Sequence, residues 1–221
     1  MKHTQKGFTL VEIAIVLVII GLLLGGILKG QEMITQAKIK NVVADFSGIS
    51  AAYYGYQDRY RAIPGDDSGA DTRWTTPTAA TKGDGNGIVV GTYNNGGAVC
   101  VATVEACSWW DHLRRAGFVA GNGFLQPFNA VTGILGVQTG NGATTPAAVL
   151  GGFGSLIVCS AGLPDKIAIA VDTQMDDGVI GTGTVRGQLH TAGPNPDIAT
   201  SAASAAYSET GTNVYTLCRA L

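Results

Sequence analysis

The sequence predicts an α+β protein in which a long N-terminal helix packs on a C-terminal, Gly-rich antiparallel β-sheet domain. Two observations predict this fold. From Phe8 to Leu28 the chain is apolar, with Glu12 as its one charged residue and no proline. After residue 61 short apolar and β-branched segments alternate with turn residues, and glycine reaches 32 residues in the whole chain. The first pattern predicts a helix, and the second predicts strands joined by turns.

The first half of the predicted helix is long enough to span a membrane. An apolar run of about 20 residues crosses the hydrocarbon core as a helix. Glu12 is the exception, because a carboxylate in such a run costs a few kcal/mol and needs a partner or a function.

The second half of the helix is predicted to be amphipathic. Apolar residues recur there at steps of three and four, which places them on one face: Ile39, Val42, Val43, Phe46, Ile49, Tyr53, Tyr56 and Tyr60. The helix should end near Tyr60, since Pro64-Gly65 follows. Its apolar face needs a sheet or another layer to cover it.

The N-terminal residues resemble one family of exported proteins. The stretch Lys6-Gly7-Phe8-Thr9-Leu10-Val11-Glu12 combines a short basic leader, a terminal glycine and a glutamate at the fifth position after it. This pattern is similar to that of type IV pilins and of the pseudopilins of type II secretion systems. The resemblance implies cleavage by prepilin peptidase between Gly7 and Phe8, N-methylation of Phe8, and a role for Glu12 in assembly.

The resemblance also implies an organisation, a location and partners. Residues 1–7 would be the leader, residues 8–60 the long helix with 8–28 in the membrane or filament core, and residues 61–221 a disulfide-containing globular head. The precursor would cross the inner membrane once, with a cytoplasmic N-terminus, before joining a periplasmic or extracellular filament. Expected partners are the peptidase, an inner-membrane assembly platform, other pilins, and further copies in a helical homopolymer.

Other functions compete with this interpretation. The apolar run could be an ordinary secretory signal or membrane anchor, although no Ala-x-Ala site follows it. Alternatives are a minor pilin or adhesin at a pilus tip, and a membrane-tethered binding module or enzyme. Lys29 stands at a position where many major pilins carry a proline. The resemblance therefore does not decide between a major and a minor subunit.

Enzymatic and nucleic-acid-binding functions are not predicted. The sequence contains no GxSxG, P-loop or HExxH motif. The formal net charge is −2, and no basic patch of the kind that binds nucleic acid is visible. No cofactor is required by these observations.

Local patterns place the elements of the head. Predicted strands are residues 98–104, 156–159, 179–187 and 214–218, and a short helix is predicted over 109–116. Residues 164–175 fit a strand by alternation and a helix by their flanking residues, and we favour the helix.

The head also resembles a subgroup of exported prepilin-like proteins. The shared features are Pro64-Gly65-Asp66, Asp84-Gly85-Asn86-Gly87, a helix end from Trp110 to Gly117, and Asp172-Thr173-Gln174-Met175-Asp176-Asp177-Gly178. The resemblance therefore extends over most of the chain.

All cysteines follow the apolar run. They are Cys100, Cys107, Cys159 and Cys218. An even number in an exported domain favours two disulfides, with three connectivities open, and buried free thiols are the alternative. We favour Cys100–Cys107 and Cys159–Cys218. Pilin-like proteins often carry a long disulfide loop near the C-terminus, so the resemblance supports the second pair.

One loop suggests calcium. Asp84 and Asn86 offer oxygens two residues apart, as calcium loops do, and Asp66 and Glu105 are candidates to complete a site. The sequence fails the EF-hand pattern, so a tight turn is the alternative. Asp176-Asp177-Gly178 poses the same choice. Acids are unfavourable at a helix C-terminus, so a cation or a hydrogen-bond network is expected there.

Overall fold

A computed structural model describes residues 9–95, 104–190, 193–198 and 206–221. Its elements in chain order are α1 Leu10–Tyr60, α2 Ala70–Arg73, α3 Glu105–Arg115, β1 Leu135–Thr139, β2 Leu156–Pro164, α4 Asp165–Met175, β3 Val185–Leu189 and β4 Val214–Ala220. A long N-terminal helix followed by an antiparallel sheet confirms the predicted α+β fold.

The chain divides into two compact units, Met1–Lys38 and Ile39–Leu221. The described part of the first unit is helical and apolar. An 18-residue window of α1 has a mean hydropathy of 2.8, and none of it is buried by other parts of the chain. Leu10 is 86 % exposed and Leu22 is 74 % exposed. By length and composition this segment can cross a membrane.

The second unit is built on a four-stranded antiparallel sheet with the strand order β1-β2-β4-β3. Strand β2 alternates between two apolar clusters, one on each face. Val158 belongs to a large cluster, whereas Ile157 and Cys159 belong to a smaller one. The alternation follows from the two-residue repeat of a strand.

The large cluster joins one face of α1 to the sheet and to two further helices. Its α1 members are Ile39, Val42, Phe46, Ile49, Ala52, Tyr53 and Tyr56. Six of them belong to the predicted apolar face, Ala52 was not predicted, and the predicted Val43 and Tyr60 pack against the cluster while partly buried. The ring of Tyr53 stacks on that of Trp109 in α3 with 5.4 Å between centroids. This is the cover that the amphipathic half of the helix requires.

Several predicted boundaries need correction. The predicted helix 109–116 begins earlier, at Glu105, and the favoured helix in 164–175 is α4, with Pro164 ending β2. The predicted strand 179–187 is wrong in its first part, because Gly178 and Gly183 take positive φ values and a turn precedes β3. Strand β1 was not predicted. The predicted strand 98–104 lies outside the described residues, apart from Val104, which precedes α3.

Candidate functional site

The first residues of α1 form a reciprocal cap. The Thr9 amide donates to Glu12 Oε2 at 2.8 Å, and the Glu12 amide donates to Thr9 Oγ1 at 3.3 Å. The Thr9 hydroxyl also donates to Glu12 Oε2 at 2.8 Å. This is a capping box, in which the N-cap residue Thr9 and the third helical residue Glu12 satisfy two amides that a helix start leaves unpaired. The role of Thr9 was not predicted, although the pattern Thr-x-x-Glu signals a capping box.

The proposed cleavage and methylation positions, Gly7 and Phe8, lie outside the described residues. Glu12 is described and lies in the first turn of α1. Its role in assembly stays a prediction. Within the chain, its carboxylate serves the helix start.

Glycines in the apolar half of α1 have no packing role inside the chain. A Cβ placed on Gly21, Gly25, Gly26 or Gly30 would meet no atom within 4 Å. The spacing Gly21–Gly25 and Gly26–Gly30 repeats the small-xxx-small pattern through which helices approach closely in apolar surroundings. Glycine weakens a helix by about 1 kcal/mol relative to alanine, and nothing that the structure describes around these four residues offsets that cost.

The predicted calcium ligands meet in the head. Asp66, Asp84 and Glu105 each offer an oxygen, and these oxygens lie within 4.8 Å of one another. Asp66 follows the end of α1, Asp84 lies in the Asp-Gly-Asn-Gly loop, and Glu105 begins α3. We call these three residues the Asp66 cluster.

Backbone amides hold the loop onto the cluster. Asp66 Oδ1 accepts from Gly85 N at 2.6 Å and Asn86 N at 3.2 Å, and Oδ2 accepts from Gly87 N at 2.7 Å. Glu105 Oε1 accepts from Asp84 N at 3.2 Å. The approach is so close that a Cβ on Gly83 would overlap the Asp66 backbone.

The remaining oxygens of the cluster are also hydrogen-bonded. Glu105 Oε2 accepts from Val90 N at 3.0 Å. Asp84 Oδ1 and Oδ2 accept from the amide and the side chain of Asn86 at 3.0 and 2.8 Å. Asn86 Oδ1 accepts from Ile88 N at 2.7 Å. The loop thus closes through its own amides, and the tight-turn alternative describes its geometry.

Burial and crowding of like charges raise two pKa values in the cluster. Burial is the largest cause of the raised pKa of Asp66; bonds from Gly87 and Gly85 oppose it, and Asp84 adds to it. Burial likewise raises the pKa of Glu105, with smaller contributions from the charges of Asp66 and Asp84. Hard oxygen ligands suit calcium, but amide hydrogens from Gly85, Gly87 and Val90 already occupy oxygens of this cluster.

A second network in the head was not predicted. The Tyr56 hydroxyl donates to Asp67 Oδ2 at 2.6 Å, and Arg73 Nη1 donates to the same oxygen at 2.5 Å. Asp67 is 2 % exposed. Burial would raise its pKa, but Arg73 and then Tyr56 outweigh burial and lower it. The network ties α1 to the segment that follows it.

His112 is used structurally. Its Nδ1 accepts from Gly65 N at 2.9 Å, which leaves Nε2 to donate to the Thr81 carbonyl at 2.7 Å. Burial lowers the pKa of His112, so the neutral imidazole is favoured. Both ring nitrogens are therefore bonded to backbone groups.

The predicted pairing of Cys159 with Cys218 is present. The two residues face each other across β2 and β4, and their separation in sequence is 59. Cys107 is also disulfide-bonded. Its predicted partner, Cys100, lies outside the described residues.

The comparisons with known proteins agree with the N-terminal geometry. An apolar helix with a capping glutamate in its first turn fits a membrane-anchored precursor. Residues 2–28 match the family described as the prokaryotic N-terminal methylation motif, which is the signature of type IV pilins and pseudopilins. The predicted resemblance is thus confirmed for this segment. No curated protein and no solved structure matches the chain.

Proposed function

We propose that this chain is a structural subunit, a pilin or pseudopilin, of an exported type IV pilus-like or type II secretion filament. The observation that carries the proposal is the match of residues 2–28 to the methylation motif. In proteins with this motif, prepilin peptidase processes the precursor and the product assembles with other pilins. The cut would fall before Phe8 and remove residues 1–7.

The exposed half of α1 supports an anchored precursor that later assembles. Among the residues that the structure describes, none covers its apolar side chains. Lipid covers them in the precursor, and neighbouring helices cover them in a filament. Moving from lipid to a helical core keeps the surface away from water, so the transfer carries a small hydrophobic cost. The glycine pairs let such helices approach closely.

Glu12 has two tasks in this proposal. It caps its own helix through Thr9. After cleavage it also faces the new cationic amine of Phe8 on an incoming subunit. In apolar surroundings each of these charges is costly alone, so the pair sets the axial register of the subunits. The precursor, by contrast, lacks the free Phe8 amine.

We also favour a structural function for this chain rather than a catalytic one. The N-terminal methylation motif at residues 2–28 favours a structural, non-enzymatic protein. His112, the most buried histidine of the described head, has both nitrogens bonded to backbone groups. The inner-membrane assembly platform and other pilins are the partners that a subunit of this kind requires.

The two tasks of Glu12 can be separated by three variants. Glu12→Gln keeps an oxygen for the cap but removes the charge, Glu12→Leu removes both, and Thr9→Ala weakens the cap by about 1 kcal/mol and keeps the charge. We expect all three to be cleaved and inserted as the unaltered chain is. Filaments recovered by shearing should be lost for both Glu12 variants and retained for Thr9→Ala.

Two outcomes would contradict the proposal. Normal filament number and length with Glu12→Gln would leave the glutamate with a capping role alone. A protein that keeps its leader and never appears in the sheared fraction would instead be a membrane-tethered module.

A further inference from the structure

A second group of carboxylates lies where α4 ends. Asp172, Asp176 and Asp177 each offer an oxygen, and these oxygens lie within 4.8 Å of one another. Asp172 is in the last turn of α4, and the other two follow it directly. We call these residues the Asp172 cluster.

One carboxylate oxygen of Asp172 is buried without a hydrogen bond from any described residue. Its side chain is fully buried, and Oδ1 has no hydrogen-bond partner among the residues that the structure describes. Oδ2 accepts from the Tyr207 hydroxyl at 2.6 Å. Buried polar atoms are satisfied in the great majority of cases, and an exception indicates a missing ion or water.

The two other carboxylates are held in place by the turn before β3. Asp176 Oδ2 accepts from the amides of Thr184 and Val185. A Cβ on Gly183 would overlap the Asp176 carboxylate, so glycine is needed for this approach. Asp177 accepts from Val179 N at 2.9 Å and from the Thr182 hydroxyl at 2.5 Å.

Positive charge near the cluster is scarce. Helix α4 has no basic residue in its last turn, and the C-terminal end of a helix is itself partly negative. Arg186 attracts Asp177, but its guanidinium donates to the carbonyls of Gly183 and Leu150 at 3.2 and 3.3 Å. Over the described ranges, no ion pair reaches any of the three carboxylates.

The raised pKa of Asp172 agrees with a cluster whose negative charge is not balanced by nearby positive groups. Burial is the largest cause of the raised pKa of Asp172, and the charges of Asp177 and Asp176 raise it further. The Tyr207 bond, and more weakly the Gly178 amide, oppose this rise. A bound cation would remove the cost of keeping all three groups ionised.

We propose that Asp172, Asp176 and Asp177 bind one divalent cation, which we assign as Ca²⁺. Three carboxylates supply the hard oxygen ligands that Ca²⁺ prefers, and its flexible coordination tolerates ligands from a helix end and a turn. The Asp66 cluster is the weaker candidate, because its oxygens already accept amide hydrogens. The assignment does not depend on the filament proposal.

Terbium luminescence tests the assignment directly. Tb³⁺ replaces Ca²⁺ at oxygen sites and is excited through a nearby phenol, and Tyr207 contacts Asp172. The probe is the full chain in detergent, stripped with a chelator and titrated with Tb³⁺, which Ca²⁺ and Mg²⁺ then compete away. We expect sensitised emission that Ca²⁺ displaces at submillimolar concentration, in the range of about 0.1–1 mM for extracellular sites, and Mg²⁺ displaces at least tenfold less well.

Matched variants locate the ion. Asp177 is exposed, so Asp177→Asn should fold, and we expect it to weaken Ca²⁺ competition at least tenfold. Asp84→Asn makes the same charge change in the Asp66 cluster and should leave competition unchanged. Tyr207→Phe should lose most of the emission. Thermal unfolding of each variant without metal checks its fold.

Three results would overturn the proposal. They are the absence of a Ca²⁺-displaceable signal in the unaltered chain, equal competition in Asp177→Asn, and loss on Asp84→Asn alone. The last result would place the cation at the Asp66 cluster. Preference for Mg²⁺ over Ca²⁺ would overturn the assignment of the ion.

Discussion

Removing one charge from the Asp66 cluster should stabilise the head at neutral pH. Asp84 is the exposed member, and Asp84→Asn removes its repulsion of Asp66 and Glu105. The oxygens of the cluster lie within 4.8 Å of one another, and at that upper limit two unit charges in a water-like dielectric repel by about 0.9 kcal/mol. Asp84→Asn removes two such repulsions, one with Asp66 and one with Glu105, but loses the hydrogen bond from the Asn86 side chain, which is worth about 0.5 kcal/mol. The free energy of unfolding should therefore rise by about 1 kcal/mol.

The gain should depend on pH in a defined direction. The folded-state pKa values of Asp66 and Glu105 are raised above 3.8 and 4.5. Their contribution to stability is therefore full below those ordinary values and is lost as the pH rises through the folded-state values. Asp84→Asn removes one cause of that loss, so its advantage should vanish near pH 3.5–4 and be complete near pH 7, by about the same 1 kcal/mol.

Thermal unfolding of the full chain in detergent and chelator measures the effect. A gain of 1 kcal/mol corresponds to roughly 2–4 °C for a chain of this size. Asp58→Asn is the control, because it removes an 83 % exposed carboxylate from outside the cluster. A loss of stability at pH 7, or an effect independent of pH, would refute the electrostatic reasoning. Added Ca²⁺ tests the site expected at Asp66, Asp84, Asn86 and Glu105. If the ion binds there, the unaltered chain should become more thermally stable than Asp84→Asn.

Two further predictions concern the packing of the head. Replacing both Cys159 and Cys218 by alanine should destabilise the head by about 4 kcal/mol, because the bridge closes a loop across 59 residues of sequence. Denaturant unfolding measures this change, and a free energy of unfolding lowered by less than about 1 kcal/mol would contradict it. Tyr56→Phe should lower the free energy of unfolding by about 1–2 kcal/mol, since Asp67 loses one buried donor but keeps Arg73. Tyr54→Phe changes an exposed tyrosine and is the control. Equal stability of the two variants would contradict a stabilising role of the network.

The long helix and its two halves could be predicted because the signals are local. The apolar run, the one-sided repeat and Pro64 each act within a few residues. The grouping of Asp66 and Asp84 with Glu105 was also predicted, from a loop, Asp-Gly-Asn-Gly, that presents oxygens at a turn. What the loop does with those oxygens was not predictable, because its amide contacts depend on the folded backbone.

Long-range partners could not be predicted. Tyr56 and Asp67 come together only when the chain turns after α1, and Tyr207 reaches Asp172 from 35 residues away. Strand β1 was missed because Leu135–Thr139 is short and includes Gly136, which a strand pattern disfavours. There the structure brings Gly136 so close to the Tyr93 backbone that a Cβ would overlap it. Close approach, and not propensity, explains that glycine.

The N-terminus of the exported protein tests the central claim most directly. Mass spectrometry of the chain recovered from membranes and from sheared filaments should find a protein that begins at Phe8, with one methyl group on its amine. The same measurement in cells that lack prepilin peptidase should find residues 1–7 still attached and no protein in the sheared fraction. A chain that retains Met1 in the presence of the peptidase, or one cut at another bond, would contradict the account.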